Sequence, residues 1–431
     1  MPSRTSPILR KRPSRLAACL LAAALGSVEG AWAQEGSLPV EIHGFLEVAN
    51  ASRITGDPVQ PDDLVLGEVR FRLDLSHYGD RADMIFKGDF TADGVSGEVD
   101  VDIRQASITL QLAEWLDLRA GRQVLTWGTG DLVFLNDLFP KDFVSFFVGR
   151  EDEFLKAPSN ALRFTAYTGS LNFDVVWTPT FEPDRFITGE RLSFFDRSEG
   201  RVVSATTMGA PLQSRRPAKE LRNGEFALRI FRNVGGYELS AYGYWGFTKQ
   251  PRAFDRAADL ATHSRQAAYG ASVRGAIFGG IANAEGAFYD SADDAGTDPD
   301  APNSEVRALV GYERELVADV TAGVQYYLQR IQDHEELVAN SSTPQFEPDE
   351  VRHTFTSRLT YRLMQQTLIL SIFAFVSPSD KDAHVRPSVT KKWTDAVTIA
   401  AGANIMVGDE SAFFGQLESN SNAYLRIRYS F

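Results

Sequence analysis

The sequence predicts an all-β fold: a single closed antiparallel transmembrane β-barrel of about eighteen strands, with both termini on the periplasmic side. Three observations carry this. Apolar and polar residues alternate over stretches of about ten to thirteen residues, longer than ordinary soluble strands and long enough for a tilted bilayer crossing. Short and long connections alternate between the stretches, as in barrels with tight turns at one rim and long loops at the other. The chain stops on Phe431, at the end of a stretch in which Ala423, Leu425, Ile427, Tyr429 and Phe431 alternate with Tyr424, Arg426, Arg428 and Ser430. Only a closed barrel satisfies the backbone polar groups of so many strands in lipid.

Composition narrows the classes. The 431 residues hold 44 Lys and Arg against 57 Asp and Glu, a formal net charge of -13, which argues against nucleic acid as a partner. A single cysteine excludes an internal disulfide or a Cys-based zinc site. At the start, Arg4, Arg10, Lys11, Arg12 and Arg15 precede an apolar run from Leu16 to Gly26, and Ala31-Trp32-Ala33 offers small residues for cleavage. Residues 1–33 therefore read as a signal peptide for Sec-type export, cut before Gln34. Leu16-Ala17-Ala18-Cys19 has the look of a lipoprotein box, but the apolar run follows Cys19, so acylation is not expected. The expected destination is the bacterial outer membrane, and no plug domain is expected ahead of the first strand near Val40.

The strands follow in order. The first falls near 39–50. The second, 65–76, puts Val65, Gly67, Val69, Phe71, Leu73 and Leu75 on one face and Glu68, Arg70, Arg72, Asp74 and Ser76 on the other. The third, 81–92, sets Ala82, Met84, Phe86, Gly88 and Phe90 against Asp83, Lys87, Asp89 and Thr91. Further strands are expected near 101–112, 115–128, 159–168, 171–180, 223–233, 236–247, 266–278, 281–290 and 304–315. In 319–331, Val320, Ala322, Val324, Tyr326 and Leu328 oppose Thr321, Gln325, Tyr327 and Gln329. The last five lie near 351–363, 366–376, 383–393, 395–407 and 421–431. Pro387, inside the third of these last five, forfeits a ladder hydrogen bond, so a bulge or a shorter strand is expected there. Long loops are expected at 51–64, 93–100, 129–158, 181–222, 248–265, 291–303, 332–350, 377–382 and 408–420.

The stretch Leu116 to Phe143 carries Gly121, Arg122, Gln123, Trp127, Gly128, Asn136, Asp137, Pro140 and Asp142. It resembles a segment of Gram-negative outer-membrane porin-like barrels, including alginate-export-type and related uncharacterised families, in which a Gly-Arg-Gln strand end and Trp-Gly lead into a long loop. The terminal alternation ending on Phe431, Tyr429 and Ile427 resembles the assembly signal of outer-membrane proteins. That resemblance implies the barrel assembly machinery as a partner, along with outer-membrane lipid and lipopolysaccharide. A homo-oligomer is left open.

A barrel of this size encloses water by default, so its inward charges suggest its function. From strand 13 onward the inferred inward face carries Arg352, Arg358, Arg362, Arg386, Lys392, Arg426 and Arg428 and no carboxylate. Strands 1 to 3 carry Glu41, Glu47, Glu68, Asp74, Asp83 and Asp89 against Arg70, Arg72 and Lys87. Either these charges merely solvate the lumen, or a basic wall opposite an acidic one favours anions along the arginines. Between 129 and 158, Asp131, Asp137, Asp142, Glu151, Asp152 and Glu153 are interspersed with six phenylalanines. So many aromatics argue that the loop folds against protein, either into the barrel as a constriction or over its mouth as a lid.

Six histidines show no metal spacing, and none shares a local motif with a serine. The run Asp290, Asp293, Asp294, Asp298 and Asp300 lacks calcium-loop spacing and reads as a solvated loop. No metal, cofactor or catalytic residue is expected. The leading expectation is a passive porin-like channel for small hydrophilic, anionic solutes. A substrate-specific export or uptake channel for a polyanion or an aromatic compound comes second, and an outer-membrane enzyme or adhesin last.

Overall fold

The computed structural model of the chain describes residues 40–292 and 295–431. The expected signal segment, residues 1–33, lies outside the described residues, as do Asp293 and Asp294.

Eighteen strands form one antiparallel sheet. Numbered along the chain, the barrel strands are β1 Glu41–Arg53, β2 Leu64–Tyr78, β3 Ala82–Asp93, β4 Glu98–Ala113, β5 Leu116–Val124 and β6 Pro158–Tyr167. Next come β7 Asn172–Thr178, β8 Glu225–Val234, β9 Tyr237–Phe247, β10 Arg265–Ile277, β11 Gly280–Ser291 and β12 Glu305–Val317. The last six are β13 Val320–Ile331, β14 Val351–Leu363, β15 Leu368–Ser377, β16 Asp382–Lys392, β17 Val397–Val407 and β18 Asn422–Ser430. Each strand pairs with its neighbours in sequence, and β18 closes on β1 from Phe45↔Ser430 to Arg53↔Asn422. The sheet thus has no free edge.

Alternation decides which way each residue points. Val48, Phe90, Val324, Phe355, Ile372, Leu425 and Ile427 are exposed on the outer wall, while their chain neighbours Glu47, Asp89 and Gln325 are buried inside. A wall that exposes its large apolar side chains and hides its carboxylates is built for lipid outside and polar contents within. The C-terminus secures the seam. Phe431 exchanges backbone hydrogen bonds with Gly44 at 3.0 and 3.1 Å, and its ring stacks on Phe71 of β2 with centroids 6.1 Å apart. A Cβ on Gly44 would come within 2.7 Å of that ring, so the glycine makes room for it.

Three sequence expectations are corrected. β5 stops at Val124 instead of continuing to 128: its pairing with β6 ends at Val124↔Pro158, and Leu125 and Trp127 then pack into an interior cluster with Phe139 and Tyr242, so the chain leaves the wall. Pro387 causes neither a bulge nor a shortening: Val385↔Ile405 and Ser388↔Gly402 keep one register, and only the two pairs between them are missing. The inner face of the last strands is not free of carboxylates. β16 starts on Asp382, 3% exposed, whose carboxylate accepts the Phe414 N–H at 2.6 Å and so tethers the following long loop.

Candidate channel constriction

After β5 the chain enters the barrel instead of passing over its rim. Trp127 packs edge-on against Phe139, 5.0 Å between centroids, and leans on Tyr242 of β9. The Thr129 and Gly130 N–H groups then reach Glu285 on β11, the latter at 2.9 Å, and the same carboxylate accepts the Asn136 amide at 3.0 Å. Asp131 spans two more strands. Its N–H donates to Gln325 of β13 at 2.8 Å, and its carboxylate accepts from Arg358 of β14 at 2.6 and 3.0 Å.

The return leg shapes itself first. Lys141 donates to Asp137 at 2.9 Å, and Asp142 caps a short helix, α1 Phe143–Val148, by accepting the Ser145 N–H at 2.8 Å. Gly149 ends the helix at φ +86, where any side chain would be strained. Asp137 and Asp142 are 4% and 3% exposed, so these two expected constriction residues build the segment instead of facing water. The helix presents Phe146, Phe147 and Val148 to Phe373, Phe375 and Met406 of the wall. Asn404 and Asn422 both donate to the Phe147 carbonyl, at 3.2 and 2.8 Å, fixing its depth.

Beyond the helix, three consecutive carboxylates reach three different strands. Glu151 pairs with Arg428 of β18 at 2.6 Å, Asp152 with Arg386 of β16 at 2.8 Å, and Glu153 with Arg72 of β2 at 2.8 Å. These carboxylates keep 42–44% of their surface exposed, as does Asp131, so they lie on the water side of their pairs. Behind them a buried layer holds the arginines: Arg428 on Glu47 at 2.8 Å, Arg72 and Arg70 on Asp89 at 2.6 and 3.0 Å, and Arg150 on Glu68 at 2.7 Å. The Phe154 ring lies among Arg70, Arg72 and Arg104, at 4.3, 5.0 and 4.9 Å, and Phe45 lies between Arg428 and Arg72. Stacked guanidiniums keep their charge while sharing its desolvation with an aromatic face.

The other inward residues sit apart from this layer, except Arg426, which stands two positions before Arg428 on β18 and opposite Ala49, two residues beyond Glu47 on β1. Arg352 pairs with Asp380 of its own rim at 2.6 Å, Asp74 stands 3.9 Å from Lys87, and Glu41 is exposed at the short-turn end. Arg362 donates to Thr321, and Arg426 lies 5.5 Å over the Tyr424 ring with its Nε hydrogen bond unmade. Lys392 is exposed at the short-turn end of β16. Sequence reasoning missed Glu285, Asn404 and Asn422, whose inward positions follow from alternation but whose partners in residues 129–147 lie far away in sequence.

A second long connection, residues 179–224, also crosses the mouth. Arg191 meets the Val65 carbonyl and Asp93 on the far side, and Ser193 exchanges hydrogen bonds with Asn420 and donates to Asp57. It joins the inward segment at Asp184, which accepts the Lys141 N–H at 2.7 Å and the Gln250 amide at 2.8 Å. Burial pushes the Asp184 carboxyl up to about 6, against the pull of those donors and the ammonium groups of Lys141 and Lys249.

No family model and no curated protein matches the sequence. Solved structures do match over nearly the whole length. OccK11 (OpdR) of Pseudomonas aeruginosa has a TM-score of 0.53 at 10% identity, covering 91% of this chain and 96% of its own. OccK5 (OpdH) from the same organism has a TM-score of 0.53 at 10% identity over 91% and 98%. OccD3 (OpdP), also from Pseudomonas aeruginosa, has a TM-score of 0.51 at 11% identity over 92% and 91%. The narrower resemblance to alginate-export-type barrels gains no support from these neighbours. With its apolar outer wall and its closed ring of eighteen strands, the chain has the fold of the outer-membrane porins of Gram-negative bacteria.

Proposed function

We propose that the chain is a passive outer-membrane channel for small hydrophilic solutes, with a preference for anions set where residues 125–157 cross the lumen. The short turns and both termini face the periplasm, and the long loops face outward. The inward segment serves as the constriction.

The observation that carries this reading is the charge balance at the crossing. Seven guanidiniums (Arg70, Arg72, Arg104, Arg150, Arg386, Arg426 and Arg428) gather with six carboxylates (Glu47, Glu68, Asp89, Glu151, Asp152 and Glu153). Within this group Arg104 and Arg426 make no ion pair among the described residues, so their charges have no carboxylate in contact. In a confined pore one unpaired charge acts on a passing ion far more strongly than in bulk water. The carboxylates alternate with the arginines around the path, so the expected preference is modest. The aromatic-compound alternative is weakened because Phe45, Phe146 and Phe154 already lie against guanidiniums.

Planar-bilayer conductance tests the reading. Deleting residues 131–153 should raise single-channel conductance severalfold. Unchanged conductance would place the segment outside the path, and silence in both proteins would remove the channel reading altogether.

A further inference from the structure

None of the six histidines shares a local sequence motif with a serine, yet folding brings one such pair together. Ser214 Oγ stands 3.2 Å from the Nε2 atom of His263, 49 residues further along. Both sit at the long-loop rim, Ser214 in the connection between β7 and β8 and His263 in the one between β9 and β10. A small three-stranded sheet sets the distance. Ser214–Arg215 pairs in parallel with Leu260–Thr262, which pairs on its other side with Ala253–Asp255. His263 is the residue after that middle strand. The Thr262 hydroxyl donates to the Arg215 carbonyl at 3.2 Å, and the Arg215 guanidinium pairs with Asp255 across the sheet.

A third group decides the tautomer. His263 Nδ1 lies 2.8 Å from the Thr248 backbone carbonyl, an oxygen that only accepts. The proton of the neutral ring therefore resides on Nδ1, and Nε2 offers its lone pair to the Ser214 hydroxyl. Burial pushes the imidazole below its ordinary value, against the pull of that carbonyl and reinforced by the charges of Lys249 and Arg216. His263 is 5% exposed and lies against the Phe181 ring, 4.8 Å between centroids, while Ser214 keeps part of its surface open to solvent.

Nucleophile, base and a group that orients the base thus stand in the order that activates a serine. The surroundings are basic. Asp255 and Glu220 are taken up by Arg215 and Arg222. Arg216, two residues past the serine, is exposed and makes no ion pair among the described residues.

We propose that Ser214 and His263 form a hydrolase site at the long-loop rim for carboxylic esters that carry a negative charge, with Arg216 receiving that charge. Ser214 Oγ attacks the ester carbonyl carbon as its proton passes to His263 Nε2, and the carbonyl electron pair moves onto oxygen. The positive field of Arg216 favours the oxyanion. On collapse the carbon–alkoxy bond breaks, and the departing oxygen takes the proton from Nε2. Water repeats the sequence: it gives a proton to Nε2 and attacks the acyl carbon, and Ser214 Oγ leaves with that proton. One ester and one water yield one acid and one alcohol. Conduction takes no part in these steps, so the site stands apart from the channel reading.

The experiment treats the purified barrel in detergent micelles with a biotinylated fluorophosphonate and locates the adduct by peptide mass spectrometry. Ser214 should carry it, and Ser264, next to His263 in sequence, should not. Ser214→Ala should abolish labelling, and His263→Ala should slow it at least about a hundredfold. Turnover is followed with two 4-nitrophenyl esters, the neutral acetate and the anionic hemisuccinate. Native protein should favour the hemisuccinate. Arg216→Ala should remove that preference through KM, and Arg216→Lys should keep most of it. Heat-modifiable migration confirms that each variant is folded. A native Ser214 that stays unlabelled would overturn the proposal, as would labelling at the native rate in His263→Ala or labelling without ester turnover. Equal cleavage of the two esters by the native barrel would overturn the assigned substrate class.

Discussion

Asp131 and Arg358, 227 residues apart in sequence, meet through two hydrogen bonds of 2.6 and 3.0 Å, with the Arg358 guanidinium also 4.6 Å over the Phe373 ring. The pair fastens the outward leg of the inward segment to the wall opposite its origin, while Glu151, Asp152 and Glu153 fasten the return leg. The lumen is therefore crossed by a segment held at both legs through charge.

Releasing one leg should loosen the crossing without unfolding the wall. Asp131→Asn keeps the shape and the backbone bonds to Gln325 but removes the charge from a pair that is partly exposed, a loss of about 1 kcal/mol. Single-channel recordings should then show larger current fluctuations at an unchanged barrel stability. Quiet recordings indistinguishable from the native protein would mean that Glu285 and Gln325 suffice to hold the leg.

The seam makes a separate demand. Deleting Phe431 removes two backbone bonds to Gly44 and the ring stacked on Phe71, at the closure of β18 on β1. The heat-modifiable folded form in outer-membrane fractions should fall severalfold, and Phe431→Tyr should restore most of it. Native levels of the truncated protein would show that closure does not depend on this residue.

The wall was legible in the sequence because alternation depends only on which face meets lipid, and each of the eighteen strands can be placed by it. The pairing inside was not. Arg386 and Asp152 are separated by 234 residues, and their meeting depends on the path between Val124, where the chain leaves the wall, and Glu285, which receives it. Alternation likewise marks Arg72 as a lumen residue and suggests that Arg72→Leu would mainly change conduction. In the structure Arg72 is 3% exposed and bonded to Asp89, itself fully buried. Its loss would leave the buried Asp89 with Arg70 alone and Glu153 without its partner, so a folding defect is expected alongside the change in conduction.

Asp184 makes the link between the two crossing loops sensitive to pH. Its folded-state value of about 6 lies above the ordinary 3.8, so the folded protein holds the proton more tightly than the unfolded chain. The associated stability is fully present below about pH 4 and is lost as pH rises through about 6, a change of about 3 kcal/mol at most. Urea unfolding in lipid vesicles should show the native barrel losing stability over this range relative to Asp184→Asn. Parallel pH profiles for the two proteins would contradict the assignment.

The central claim is that the carboxylates of the inward segment offset the wall arginines and so set the selectivity. The most direct measurement is the reversal potential across a planar bilayer in a KCl gradient. Native protein is compared with the Glu151→Gln/Asp152→Asn/Glu153→Gln variant, which keeps side-chain size while freeing Arg428, Arg386 and Arg72 of those partners. The account predicts weak anion preference in the native channel and a pronounced shift toward anions in the variant. An unchanged reversal potential, or a shift toward cations, would contradict it.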